Sequence, residues 1–367
     1  MFRRQIQKNK FVSAWNVRRD IHHKEDILDS LMMKAMRREP VDRTPVWLMR
    51  QAGRYMAEYR AVRERMSFLE LCRNPKLCAE VMQTAVEKIG VDAAIIFSDL
   101  LLILEAMGFN LEFSAGDGPV LHNPLRTATD LKVIHELMDV SSLDYVFETV
   151  SETRKVISRD KPVIGFAGAP FTLAGYAIEG GGSRSFLHTK KLMYTRPDVW
   201  HEFMERIARS AARYLNAQID AGASIVQVFD SWVGCLGVED YRRFVLPHTR
   251  LLMELVTTGT PIIYFGTGNP ALLGEFAKVG DCALGIDWRT SLTSAWKTVG
   301  DDRVLQGNLD PAVLLASPDF IRQEVRRILT ETKGHPGFIF NLGHGVLKET
   351  PVENVRILVD AVHEGIS

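Results

Sequence analysis

The sequence predicts a single (β/α)8 barrel, and three observations carry that prediction. Eight short, nearly unbroken apolar runs recur along the 367 residues, as expected for strands of a parallel sheet covered on both faces. Amphipathic stretches lie between them. Polar residues gather just after the runs, and in barrels the loops that follow the strands build the active site. Eight strand–helix units in a chain of this length fit a barrel better than an open doubly wound sheet.

The runs are, in order, Pro45–Leu48, Ala93–Phe97, Pro162–Phe166, Ser224–Phe229, Pro261–Phe265, Ala283–Ile286, Arg303–Leu305 and Gly337–Asn341. Gly90, Gly222 and Gly300 punctuate the approaches to the second, fourth and seventh. Helical spacing is clearest over Asp198–Ala221, where Phe203, Ile207, Ala211, Tyr214 and Leu215 recur. It returns over Pro318–Thr330, where Phe320, Val325 and Ile328 do. The connections from the second run to the third and from the third to the fourth are long, so they must carry extra helices or lids.

At 46% hydrophobic and 25% charged, the chain has ample core for one large domain. No stretch reaches the ~20 apolar residues of a membrane span. The formal net charge of zero conceals an asymmetry: residues 1–24 hold seven Lys/Arg and one acid, which leaves 38 basic and 44 acidic residues in the body, a net of −6. Residues 1–25 therefore read as a basic N-terminal extension and 26–367 as one barrel domain. An acidic body argues against nucleic-acid binding through a broad basic face. Any anionic ligand must be held by a local arginine cluster. The extension reads as a disordered leader, an over-extended translation start or an Arg-rich, acid-poor transit segment. The first two place the protein in the cytoplasm, the third in an organelle. Cys72, Cys78, Cys235 and Cys282 are scattered without metal-ligand spacing, which suggests reduced thiols in a reducing compartment.

Candidate functional residues follow the runs. Arg50, Gln51 and Arg54 come after the first. On a shared helical turn the two arginines face one side and repel unless an anion sits there; the plain alternative is a solvated surface pair. Asp99 follows the second run and is either a ligand or a helix cap. Tyr176 lies beyond the third run, before the glycines 180–182, which lack a phosphate-loop pattern and serve better as a flexible loop. Phe229, Asp230 and Ser231 end the fourth run; Asp230, like Asp310 after the seventh, suits a structural role. His344 stands between two glycines after the eighth and is either a turn residue or a ligand. The chain has no HExxH, GxSxG or CxxC, and no His-x-Cys at a strand end, so a thiolate zinc site is not expected. What remains is one aspartate, one histidine, one tyrosine and two arginines in a mouth walled by Phe, Trp, Met and Leu. Such a pocket suits a large, flat, partly apolar ligand bearing several carboxylates.

Six motifs in order, Met49-Arg50-Gln51-Ala52-Gly53-Arg54-Tyr55, Ile96-Phe97-Ser98-Asp99, Gly168-Ala169-Pro170-Phe171-Thr172-Leu173, Glu179-Gly180-Gly181-Gly182-Ser183, Leu305-Gln306-Gly307-Asn308-Leu309-Asp310-Pro311 and Asn341-Leu342-Gly343-His344-Gly345, resemble the uroporphyrinogen decarboxylase family. The resemblance runs from about Ile27 to His363. It implies a cofactor-free, metal-free carboxy-lyase that converts the four acetates of uroporphyrinogen III to methyls, giving coproporphyrinogen III in heme biosynthesis. It also implies a (β/α)8 barrel and a homodimer; the acidic body and the lack of a long apolar stretch lead to the expectation of no nucleic-acid or membrane partner. By resemblance Arg50, Gln51 and Arg54 meet substrate carboxylates, and Asp99 binds the pyrrole N–H groups. Tyr176, Ser231 and His344 are polar contacts, and Phe229 lies beside the macrocycle. Phe171 stands where the family usually has Trp, and Ala57 where it usually has Pro.

The chemistry agrees with that assignment. Losing CO2 from an acetate on an electron-rich pyrrole needs an electron sink. Protonating the ring carbon that bears the acetate makes one from the substrate itself. A fixed carboxylate at Asp99 stabilises the cation, by ~3–4 kcal/mol on the analogy of a preorganised oxyanion site of opposite sign. Arg50, or a water it holds, is the candidate proton relay, with Tyr176 the third catalytic candidate. Two other classes compete: a zinc-dependent cobalamin or coenzyme M methyltransferase, and a porphyrin-binding protein without catalysis.

Overall fold

The computed structural model describes residues 26–114, 118–333 and 335–366; the basic extension lies outside the described residues. Among them, seven of the eight apolar runs form one curled parallel sheet. Its strands are β1 (Ala94–Ile95), β4 (Val163–Gly168), β5 (Ile225–Asp230), β6 (Ile262–Gly266), β7 (Ala283–Gly285), β8 (Leu305–Leu309) and β9 (Phe338–Leu342), and they neighbour one another in that order. Every residue of β4, β6, β8 and β9 is buried, which is why β4 and β6 read as unbroken apolar runs.

The first run, Pro45–Leu48, is not a strand. Proline has no N–H to donate, and the chain turns away at Met49. Val46 makes a single parallel bridge to Phe340. Phe340 N donates to Pro45 O at 2.9 Å, and on the other side Asp92 N donates to Val46 O at 2.8 Å. The seventh run is displaced: the strand is Leu305–Leu309, not Arg303–Leu305. Its polar residues are bonded inside the sheet, with Trp47 Nε1 donating to Gln306 Oε1 at 2.8 Å and Gln306 Nε2 donating to Gln227 Oε1 at 3.0 Å.

Helices cover the outer face. The 24-residue helix Pro197–Asp220 buries Trp200, Phe203, Ile207, Ala211 and Leu215, an apolar stripe of helical period. From its last turn Gln218 clasps β4, accepting from Phe166 N at 2.8 Å and donating to Phe166 O at 2.9 Å. In the helix Pro318–Thr332 the buried stripe is Ile321, Val325, Ile328 and Leu329, while Phe320 is exposed. Phe320 sits ~100° around the helix from Ile321, off the stripe.

The two long connections carry extra elements. Between β1 and β4 lie the helix Leu102–Ala106, an antiparallel hairpin of β2 (Leu111–Ser114) and β3 (Gly118–Leu121), and the helix Asp144–Val156. Between β4 and β5 lie the helices Pro170–Glu179 and Leu187–Thr195, then Pro197–Asp220. Gly180 and Gly181 pack on the hairpin: Gly181 bridges Val120, and Leu121 N donates to Gly180 O at 2.9 Å. They are a docking strip rather than the free loop expected. No helix among the described residues is long and apolar enough to cross a membrane. The four cysteines are free.

Candidate active site

The loops after the run at Pro45–Leu48 and after β1, β5 and β9 meet at one cleft, which holds about 790 Å³ of space open to solvent at its mouth. Arg50, Gln51, Asp99, Phe229, Ser231 and His344 all line it. Of the eight expected site residues, only Tyr176 and Arg54 stand outside its wall.

Arg50 is placed by two neighbouring segments. Asn341 Oδ1 accepts from Met49 N at 3.2 Å, and Val346 N donates to Met49 O at 3.0 Å. Arg50 itself has φ +63°, a conformation that costs a non-glycine residue energy and that clusters at functional sites. Its aliphatic stem crosses Gly345, where a Cβ would sit 2.5 Å from Arg50 Cδ; glycine is required for that approach. The exposed guanidinium makes no hydrogen bond or ion pair among the described residues. The segment from Met49 to Met56 is turn and bend, with a helix only from Ala57. Arg50 and Arg54 therefore do not share a helical turn. Arg54 is exposed, and it too has no side-chain partner among the described residues.

Gln51 is wholly buried and bonded to backbone: it donates to Ala93 O at 3.2 Å and accepts from Leu48 N at 3.3 Å. Its amide holds the first run against β1, and that leaves it less free for a ligand than the resemblance implies.

Asp99 accepts from Leu101 N at 2.9 Å through Oδ1. This is a local turn two residues long, and the following helix has no side-chain cap. Burial pushes the Asp99 carboxyl up to about 6, against the opposing pull of the Leu101 N–H and the Arg50 charge. The same two charges, Asp99 and Arg50, act on Tyr176, whose hydroxyl is raised chiefly by burial. Tyr176 meets the edge of Trp232 at 5.7 Å between ring centres. His344 is driven down to about 4, by burial first and then by the Arg50 and Arg289 charges; its imidazole is neutral at pH 7.

The wall is aromatic. Phe229 stands edge-on between Phe166, at 5.6 Å, and Phe265, at 5.9 Å, and His344 meets Phe265 at 6.3 Å. Phe166 and Phe265 were not singled out from sequence. A signal existed: Phe265 is the register partner of Phe229 across β5 and β6, and both close their apolar runs. Asp230 is structural, as expected. It is fully buried, accepting from Thr172 Oγ1 and Tyr264 OH at 2.7 Å each. Thr172 in turn accepts from Trp232 N at 3.2 Å, fixing the loop that carries Ser231. Asp310 caps its own turn, accepting from Ala312 N at 2.9 Å. Among the described residues no three His, Cys, Asp or Glu side chains are grouped as a metal site.

A cleft with an aromatic wall, one carboxylate on its side and an unpaired arginine at its lip can take a flat, electron-rich ring that carries acids. The family model described as uroporphyrinogen decarboxylase (URO-D) matches residues 28–365. A uroporphyrinogen decarboxylase of Carboxydothermus hydrogenoformans is 51% identical over 338 residues, covering 92% of this chain and 97% of the relative. One of Chloroflexus aurantiacus is 50% identical over 335 residues, covering 90% and 94%. One of Thermus thermophilus is 48% identical over 342 residues, covering 92% and 99%. Among solved structures, a methyltransferase from Methanosarcina mazei superposes with a TM-score of 0.74 at 22% identity, covering 91% of this chain and 98% of that one. That likeness is one of fold.

Proposed function

The chain belongs to the uroporphyrinogen decarboxylase family, and from that premise we infer that it is a decarboxylase acting on uroporphyrinogen in tetrapyrrole biosynthesis. The reaction is removal of the four acetate carboxyls of uroporphyrinogen III as CO2, leaving the methyls of coproporphyrinogen III. The observation that carries this reading is the single cleft in which Asp99, Arg50, His344 and Ser231 converge against Phe229.

In the proposed mechanism Asp99, ionised above about pH 6, accepts pyrrole N–H groups at the ring centre. Its charge then stabilises the cation formed when the ring carbon bearing an acetate is protonated. The low-dielectric aromatic wall strengthens that interaction. The electrons of the breaking C–CO2 bond flow into this cation, a second proton adds at the exocyclic carbon to make the methyl, and loss of the first proton from the ring carbon restores the pyrrole, a net uptake of one proton per CO2. Arg50 pairs with a substrate carboxylate and holds the water that relays protons, since a guanidinium does not itself deprotonate. Arg54 serves a carboxylate projecting from the mouth. Tyr176, beside the cleft and in the field of Asp99 and Arg50, is a polar contact for the substrate, and the neutral His344 donates to a carboxylate. Ser231 supplies one further hydroxyl. Gln51 acts mainly by fixing the first run. The substrate provides the electron sink, so the scheme has no cofactor or metal.

The same reading extends to the architecture. The hydrogen bonds from Pro45–Val46 to Phe340 on one side and Asp92 on the other support the first run as the eighth member of a (β/α)8 barrel spanning residues 26–367. We place the enzyme as a cytoplasmic homodimer; sedimentation velocity tests the oligomer. The reaction is tested by anaerobic incubation of the purified chain with uroporphyrinogen III. Sequential hepta-, hexa- and pentacarboxylate intermediates ending in coproporphyrinogen III are expected. Tight binding with no CO2 release would favour a porphyrin-binding protein instead.

A further inference from the structure

Building on the proposed reaction, we propose that Arg289 is a further carboxylate ligand of the substrate, at the rim of the cleft beside His344, and that it reads how many acids remain on the ring.

Arg289 lies just past β7, and its side chain is held before any ligand arrives. Asp287, buried, accepts from Thr267 Oγ1 at 2.6 Å, from Gly268 N at 2.8 Å and from Arg289 Nη1 at 2.6 Å. Its other oxygen accepts from Arg289 N at 3.0 Å. The guanidinium also lies over the Trp288 ring, with Cζ 4.3 Å from its centre, a favourable stack for a planar cation. Yet the Arg289 side chain remains 42% exposed. Only Nη1 is spent. Nε and Nη2 have no hydrogen-bond partner among the described residues, and they are the edge a carboxylate takes bidentately. The entropy of fixing the fork is already lost, so a ligand gains more from meeting it.

The loop sits against the cleft. A Cβ at Gly343 would lie 2.7 Å from Trp288 N, 2.8 Å from Trp288 Cε3 and 3.0 Å from Asp287 Cα, so the two residues before Arg289 rest directly on the residue before His344. The Arg289 charge is felt at the His344 ring. An arginine that only neutralised Asp287 would need neither an open edge nor an aromatic plate. The substrate carries eight carboxylates, more than Arg50 and Arg54 can pair, and each turnover removes one. A third fork, this one held in place at the rim, favours the early, highly charged species over the product.

The test uses porphyrins that cannot react. Uroporphyrin III (eight carboxylates) and coproporphyrin III (four) are titrated by fluorescence against the wild-type chain, Arg289→Gln and Arg289→Lys. Arg289→Gln is expected to weaken uroporphyrin ~10-fold, as for one lost charge-assisted contact, and coproporphyrin by less than about twofold. Arg289→Lys, which still neutralises Asp287 but lacks the fork, falls between, and it carries the test if the Gln variant does not fold. Thermal unfolding of each variant is recorded. An unchanged Kd ratio in a folded variant overturns the proposal, as do equal losses for both porphyrins or a wild-type chain that does not tell them apart. CO2 release by the wild-type chain is measured separately. Failure there sinks the decarboxylase reading while the Kd ratio still judges Arg289.

Discussion

Holding an ionised carboxylate against an aromatic wall is costly, and the elevation of Asp99 to about 6 records that cost. The sign follows from linkage. The folded-state value lies above the ordinary 3.8, so the folded protein carries the full penalty above pH 6 and is relieved of it as pH falls toward 4. Asp99→Asn removes the penalty. Its melting temperature at pH 7 is expected to equal or exceed that of wild type, while kcat/KM falls by at least ~100-fold through lost cation stabilisation. A variant that melts earlier yet turns over normally would reduce Asp99 to a turn residue serving Leu101 N. In the wild type, kcat/KM should decline as pH drops through about 6. His344 contributes nothing to that limb, because its own value is near 4. As a neutral donor it is worth one hydrogen bond, ~0.5–1.5 kcal/mol. His344→Asn should therefore keep ~10–50% of activity and release partly decarboxylated intermediates, read by chromatography of the products. A uniform collapse of all four steps, ~100-fold or more, would make it the essential acid instead.

The cleft is assembled by loops, and the loop after β9 does so through what it lacks. Gly345 leaves room for the Arg50 stem, and a methyl there would sit 2.5 Å from Arg50 Cδ and 2.7 Å from its Cγ. Gly345→Ala is expected to leave the melting temperature within a few degrees, because the clash falls on a flexible side chain, yet to raise KM for uroporphyrinogen as an Arg50 substitution would. Steady-state kinetics beside a melting curve decide it; unaltered kinetics would show that Arg50 need not cross that glycine. Elements of this kind were only partly legible in the sequence. Strands buried on both faces announce themselves by unbroken apolar runs, and β4, β5, β6 and β9 fell where the pattern put them. β8 was displaced because Gln306, Gly307 and Asn308 break the apolar signal, and what makes them strand residues is a hydrogen-bonded partner across the sheet. The hairpin Leu111–Leu121 was missed because its strands are short and only partly buried. Phe320 misled because a large apolar residue was counted without its angular position.

At the scale of the whole molecule, the site was legible where side chains meet across distant segments and less so where local geometry decides. Asp99, Arg50, Phe229, Ser231 and His344 share one cleft, as strand-end position suggested. The bend at Arg50–Arg54 depends on backbone angles that no spacing rule encodes, and Phe166 and Phe265 had to be placed by register. Nothing in the sequence singles out Arg289; its bond to Asp287 and its stack on Trp288 are set by the fold. Charge distribution is the other property of the whole. The body carries −6 and residues 1–24 carry +6, so an octa-anionic substrate approaches a body of its own sign. Beyond the ~8 Å Debye length at physiological ionic strength this repulsion is screened, and in the proposed mechanism capture rests on the local arginines. A chain beginning near residue 25 should therefore retain its melting temperature, with kcat/KM within about twofold of wild type at 0.15 M salt, where exposed charges are screened. At ~0.01 M salt, where the Debye length reaches ~30 Å, the shortened chain should show the higher KM, and the gap should close as salt is added. A gap that persists at high salt would mean that residues 1–25 touch the site or the fold directly rather than acting through their charge.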